Sequence, residues 1–181
     1  MGTFFSKFSK SKYKSIHLMG FSSSGKESIL NHFKDYIIVN KSRTTGFYFD
    51  YIDYKGMHFT VYRNMPEYQY KPGHIKITSH DMDGLVFVID SSDDIRIEDA
   101  IEELQKLLTY EELKKVVFLI MANKQDIKGV ISPDQNKKML TMELLQERKC
   151  LVQGCSAITG EGVKEGFDWM VNTFLNKKNI N

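Results

Sequence analysis

Two short segments hold residues whose types and spacing can do chemistry. Gly20-Phe21-Ser22-Ser23-Ser24-Gly25-Lys26 is a turn bounded by glycines and closed by a lysine. The glycines let the backbone curl until successive N–H groups face inward, a geometry that cradles phosphate oxygens. Lys26 adds a point charge for the outer phosphates. The second segment is Asn123-Lys124-Gln125-Asp126. A carboxylate at Asp126 can accept from both the ring N–H and the exocyclic amine of guanine. Adenine lacks that donor pair, so an enclosed Asp126 rejects it. Asn123 can brace the loop, and the Lys124 stem can cover a ring face. Further on, Ser156-Ala157 follows an apolar run and brings an Ala157 N–H expected to donate to the guanine carbonyl. A polar turn explains either segment alone. Both in this order point to GTP or GDP as the ligand.

The next position breaks the pattern. A Ser or Thr normally follows the lysine and gives its hydroxyl to magnesium. Here the residue is Glu27, longer and negatively charged beside phosphates that are already anionic. Ser28 is one residue late for the metal, though still within the phosphate-binding stretch. Phosphate binding is therefore expected to survive while the magnesium site is compromised, with Glu27 a weak candidate ligand.

These loops need strands to end on and helices to begin. Tyr13–Met19 alternates into the glycine loop, and Ile29, Leu30 and Phe33 give the next segment helical spacing. Two aromatic-rich strands, 47–54 and 57–62, meet at Lys55-Gly56, a hairpin signal. Residues 84–90 and 116–122 are continuous apolar runs, as expected of parallel strands covered on both faces. A last strand holds Leu151-Val152. Between strands, Ile97, Ile101, Leu104 and Leu108 share one helical face. Ser132-Pro133 reads as a helix start, and Val163, Phe167, Met170, Val171 and Phe174 as the face of a final helix. The alternation predicts an α/β fold with a mostly parallel sheet and helices on both faces, ligands lying beyond the carboxyl ends of the strands.

Composition sets the frame. The 181 residues are 41% hydrophobic and 27% charged, enough for one substantial core. A net charge of +2 makes no case for nucleic acid. Cys150 and Cys155 lack metal-ligand spacing and read as small buried or half-buried residues in a reducing compartment. No apolar run reaches spanning length, and no apolar h-region follows the basic start.

With these motifs in place, the chain resembles the small GTPases, and among them the ADP-ribosylation factor (Arf) and Arf-like family. The likeness rests on residues 20–26, 84–91, 122–126 and Gly166-Phe167-Asp168-Trp169, and on the Met1-Gly2 start. The resemblance implies a P-loop GTPase fold with a six-stranded sheet. It implies that Thr44 senses the γ-phosphate through magnesium, as a second weak metal ligand. It implies a second switch reading Asp, any residue, Gly, Gly, Gln. This chain has Arg63, Asn64, Met65, Pro66 and Glu67 there. Pro66 has no N–H for the γ-phosphate. Glu67 stands where the family glutamine orients water, and is a doubtful catalytic residue. Arg63 has two readings: a cation standing in for magnesium, or a solvated residue at a strand end, the second being the expectation. Phe47 and Tyr62 match two positions of the family's aromatic effector surface, and packing on the core explains them equally well. Hydrolysis is expected to be weak, lost or partner-dependent.

Met1 to Ser6 fits a myristoylation pattern with Gly2 as acceptor. Lys7, Lys10, Lys12 and Lys14 precede the first acidic residue, Glu27. One acyl chain binds membranes marginally, and a basic patch is the usual second signal. The expected organisation is a membrane segment, 1–14, and a single GTPase-like domain, 15–181. The expected location is cytoplasmic and peripheral to a membrane, Golgi or endomembrane by resemblance. Two functions stay open: a nucleotide-operated membrane switch in vesicle-mediated protein transport, or a catalytically inactive pseudo-GTPase that recruits partners.

Overall fold

The computed structural model describes residues 12–44, 47–63 and 82–176. The element order is β1 (Tyr13–Met19), α1 (Lys26–Asn31), β2 (Ile37–Thr44), β3 (Phe47–Tyr54), β4 (Met57–Arg63) and β5 (Gly84–Asp90). It continues through α2 (Ile97–Thr109), β6 (Val117–Asn123), α3 (Pro133–Met139), α4 (Met142–Gln146), β7 (Lys149–Gly154) and α5 (Val163–Asn176). The strands form one sheet in the order β2-β3-β4-β1-β5-β6-β7. Strand β1 pairs in parallel with β4 and β5, as do β5 with β6 and β6 with β7, whereas β2, β3 and β4 are antiparallel. The chain changes direction of winding at β1, so a crevice opens at its carboxyl end.

The sheet is covered on both sides. Helix α1, the Phe33 that follows it, and α5 bury Ile29, Phe33, Phe167, Met170 and Phe174 against Leu18, Phe59, Val61 and Leu119. On the other side α2 and α4 bury Ile101, Leu104, Leu108 and Leu145 against Leu85, Phe87, Phe118 and Ile120. The apolar faces expected of α2 and α5 are the buried ones. Every residue of β6 is buried, as is all of β5 but its last residue, which accounts for their unbroken hydrophobic runs. Lys55 (φ 49) and Gly56 (φ 75) both take positive φ, the two-residue turn that matches strand twist. Ser132 caps α3 in a capping box: its Oγ accepts from Gln135 N at 3.2 Å, and Gln135 Oε1 accepts from Ser132 N at 2.8 Å.

The six strands expected from sequence are present, and a seventh, β2, joins them at the edge. Its Ile37-Ile38-Val39 start gives way to the polar Asn40-Lys41-Ser42-Arg43, and its pairing with β3 shifts register twice. An edge strand with bulges needs no regular alternation, so no periodicity marks it.

The boundary at residue 14 also moves. Tyr13 and Lys14 already belong to β1. Lys14 Nζ lies 2.7 Å from Asp83 Oδ1 and 5.4 Å from the Phe174 ring centre. Asp83 Oδ2 accepts from Ser15 N at 3.1 Å, so this pair helps seat the strand. Lys14 is thus committed to the domain and not to a membrane surface. Exposed Lys12 is the only one of the four lysines that is described and free of such a role. Gly2, Lys7 and Lys10 lie outside the described residues.

Candidate functional site

Three loops meet at the carboxyl ends of β1, β6 and β7. The first is the glycine turn. Gly20 has φ +134, and a Cβ there would sit 2.3 Å from Val88 O. Gly25 has φ +95, and a Cβ there would sit 2.3 Å from Asn123 Nδ2. Only glycine permits both the turn and these approaches. Ser23 takes φ 65 in the same turn and Lys124 takes φ 68 in the second loop. Strained non-glycine residues of this kind concentrate where function over-determines the backbone.

Lys26 folds back over its own turn. Its Nζ donates to Gly20 O at 2.6 Å, Phe21 O at 2.7 Å and Ser24 Oγ at 3.5 Å. Burial pushes its pKa down, and the Glu27 charge opposes that shift. The ammonium is therefore held over the mouth of the turn, with donors it can trade for phosphate oxygens. Ser22 and Ser23 are exposed, Ser24 is buried, and Phe21 and Ser28 are half-buried. Arg96 Nη1 donates to Ser22 Oγ at 3.3 Å, tying the turn to the start of α2.

Asn123 joins all three loops. It is 1% exposed. Its Nδ2 donates to Ser24 O at 2.8 Å, and its Oδ1 accepts from Ala157 N at 2.8 Å. The Ala157 N–H, expected to face a base carbonyl, is instead satisfied by Asn123: a buried donor so close to an amide oxygen pairs with it. Ser156 Oγ orders the third loop by accepting from Ile158 N and Thr159 N at 3.2 and 3.1 Å. Lys124 Nζ pairs with Asp90 at the end of β5. Burial works against the Asp90 charge, but Lys124 and Ser92 outweigh it and hold the carboxyl below its ordinary range. Asp126 is exposed, its carboxylate open to a ligand rather than enclosed. Ala157, Ile158, Ser28 and His32 line an open cavity of about 490 Å³. His32 Nε2 lies 2.9 Å from Ala157 O and joins the two sides of the cavity.

The far side of the turn is different. Met57, Phe59 and Val61 face the core from β4, and the same alternation carries Arg63 inward. Its side chain is 14% exposed, not solvated as expected from sequence. Nε lies 3.0 Å from Asp50 Oδ2 and Nη2 donates to Asp50 Oδ1 at 3.3 Å. Nη1 pairs with Glu27. Asp50 itself is 3% exposed. The position of the second-switch aspartate that the resemblance implies is thus filled by a cation, and the position of the expected magnesium-binding hydroxyl by its anionic partner. These residues do not fit magnesium. Among the described residues, no group of three or more His, Cys, Asp or Glu side chains is placed to hold a metal.

Thr44 is not brought to the site. It ends the edge strand β2, paired with Phe47, with β3 and β4 between it and β1. Strands lie about 4.8 Å apart, so that is roughly 14 Å across the sheet. Tyr62, half-buried, packs against the rings of His17 (5.0 Å) and Phe49 (5.8 Å). Phe47 opens β3. Glu67 lies outside the described residues. Sequence reading missed Asp50 and Asp90. Asp50 shares the inward face of β3 with Ile52 and Tyr54, and that parity was the available signal.

Comparison with known proteins agrees with this architecture. The sequence model of the ADP-ribosylation factor family matches residues 1–174. ADP-ribosylation factors J and K of Dictyostelium discoideum are each 34% identical over 173 residues, spanning 96% of this chain and 92% of each relative. The solved structure of the small GTPase Arl6 (BBS3) from Trypanosoma brucei, with a bound nucleotide analogue, GppNp, has the same fold. Its TM-score is 0.72 at 24% identity, covering 91% of this chain and 98% of that one.

Proposed function

The chain belongs to the ADP-ribosylation factor family, and from that premise we propose that it binds GTP and GDP while hydrolysing GTP poorly or only with a partner's help. Asn123 carries the binding half of this reading. One buried amide, Asn123 at the start of the base loop, bonds both the phosphate turn at Ser24 and the third loop at Ala157. Lys26 takes the outer phosphates, Asp126 selects guanine, and Lys124 covers the ring. The catalytic half follows from what is missing. Phosphoryl transfer relies on positioning and on charge stabilisation at the γ-phosphate. Arg63 and Glu27 occupy the metal ligands' positions in the family pattern, and Glu67 replaces its glutamine in sequence.

We further propose a membrane-associated role in vesicle-mediated protein transport. Myristoylated Gly2 would supply one anchor, and Lys7, Lys10 and Lys12 the attraction to an anionic leaflet. The family and the Met1-to-Ser6 pattern support this. The ion-paired Arg63 favours one variant of it, a recruiting module whose nucleotide is held rather than cycled.

Calorimetry on the purified chain tests the binding half. GTP is expected to bind at least ~100-fold more tightly than ATP. Equal affinities, or none, overturn it. Single-turnover hydrolysis is expected at or below ~10⁻⁴ s⁻¹, the intrinsic scale of an intact small GTPase. A faster intrinsic rate removes the catalytic half. For the anchor, a Gly2→Ala chain that still floats with anionic vesicles after coexpression with a myristoyltransferase contradicts the lipid assignment.

A further inference from the structure

We infer that Arg63 replaces the divalent metal: its guanidinium is the fixed cation for the bound phosphates, and nucleotide binding needs no magnesium. The inference rests on the guanine-nucleotide reading and goes beyond it by assigning how the phosphate charge is met.

The geometry separates an anchor from a placeholder. Asp50 is the anchor. Its side chain is 4% exposed, accepts from Nη2 at 3.3 Å and lies 3.0 Å from Nε, a buried ion pair that holds the guanidinium against β3. Glu27 is the placeholder. It holds only Nη1, its side chain is 53% exposed, and it directly follows Lys26 in the phosphate turn. An incoming phosphate reaches the same Nη1 by displacing Glu27 into solvent, while Asp50 keeps the guanidinium where it is. Lys26 and Arg63 then bracket the phosphates as two fixed cations.

Magnesium is disfavoured at the same place for three reasons. It demands near-ideal octahedral oxygen ligation. The nearest carboxylates are already engaged by Arg63. A guanidinium among the ligands repels a second cation. A group that stays charged at every relevant pH and cannot dissociate makes the site insensitive to chelators.

The test uses the full chain with GDP as probe, titrated calorimetrically in excess EDTA and in excess magnesium chloride. The two dissociation constants are expected to agree within about threefold, since magnesium has no open ligand shell to enter. Arg63→Ala is expected to weaken GDP about tenfold or more by removing a charge-assisted contact. Glu27→Gln is expected to tighten GDP a few-fold by removing a competing negative charge, at about ε ≈ 20 near the surface. Because Arg63→Ala removes the cation beside buried Asp50, its thermal melt is taken alongside, and Glu27→Gln keeps the test open if that variant does not fold. Manganese(II) added to the GDP complex gives a direct readout by paramagnetic resonance, with no stoichiometric protein-bound ion expected. Tenfold weaker GDP binding in EDTA, or a bound manganese signal, overturns the inference and leaves the guanine reading standing. No GDP binding in either buffer overturns both.

Discussion

At Asn123, one neutral amide donates to Ser24 and accepts from Ala157, joining three loops without a net charge. At Arg63, one cation joins β3 to α1 through two carboxylates, one buried and one exposed. Both are single side chains that tie the segment after β1, the glycine turn in one case and the first turn of α1 in the other, to another part of the sheet. The first leaves the site ready for a ligand, because a satisfied amide has nothing further to give up. The second is charged on every member and keeps one exchangeable contact, so a phosphate changes its pairing. Recognition of the base and management of the phosphate charge are therefore built from separate parts. One can drift from the family pattern while the other stays with it. Phosphoryl transfer needs both, which is why a chain can keep its ligand and lose its turnover.

The comparison breaks first at Asp126. If the amide-braced side carries guanine selection, Asp126→Ala removes two hydrogen bonds to a charged acceptor. Such bonds are worth ~1.5–3 kcal/mol each, so GTP affinity falls about 10²–10⁴-fold, while the melting temperature stays put because the residue is exposed. Calorimetry and a thermal melt read the two quantities. A large loss of stability with no loss of affinity would move selection elsewhere.

Arg63→Ala should do the reverse. It removes the Arg63 guanidinium from the buried Asp50 carboxylate, a loss of up to ~3–5 kcal/mol. For a chain of this size that lowers the melting temperature by roughly 10 °C. Arg63→Met combined with Asp50→Leu removes both charges and is expected to recover most of it. Failure of the double variant to recover would mean that the ion pair is not what holds β3 and β4 to α1.

The amide-braced side was legible in sequence because it is local. Gly20 to Lys26 and Asn123 to Asp126 are contiguous, each follows an apolar strand, and each strand's hydrophobic run fixes where the loop begins. The sheet and the faces of α2 and α5 were legible for the same reason. The ion-braced side is assembled from positions 27, 50 and 63, and no short window contains them. Reading Arg63 as a strand-end residue took its charge as decisive. The alternation Met57, Phe59, Val61 already directed it inward, and Asp50 lies on the same face of the paired strand. Pairing across a hairpin is readable once register is known, and the Lys55-Gly56 turn sets that register. Strand β2 was not readable, because its residues alternate irregularly and its place comes from β3. The Lys124–Asp90 pair was hidden likewise, since it depends on β5 and β6 lying side by side.

Acid should separate the two sides next. His17 is 4% exposed beside the Tyr62 ring on the ion-braced half of the sheet. Burial holds its pKa at about 4, below the ordinary value of 6.5. Between those values the unfolded chain binds more protons than the folded one. Stability is then full above about pH 6.5 and is lost as pH falls toward 4, by about 3 kcal/mol across the window. Denaturant melts from neutral to acid pH are expected to show that slope, and His17→Leu to flatten it. On the amide-braced side burial pushes the Cys155 thiol up to about 12, so it stays neutral throughout and adds no slope. A slope unchanged in His17→Leu would place the acid-sensitive group elsewhere.

The smallest expected effect concerns how the base loop is held from behind. Gln125 Nε2 donates to Ile131 O at 3.1 Å, so the tetrad leans on the segment that ends at the Ser132 cap. Ser132→Ala removes one bond of the capping box, typically ~1 kcal/mol, or about 2–4 °C in melting temperature. If the base loop takes its shape mainly from Asn123, GTP affinity changes less than about threefold, because both Asn123 bonds are untouched. A tenfold loss would mean that the α3 start, and not the buried amide, sets the loop. The amide-braced side would then depend on distant supports just as the ion-braced side does.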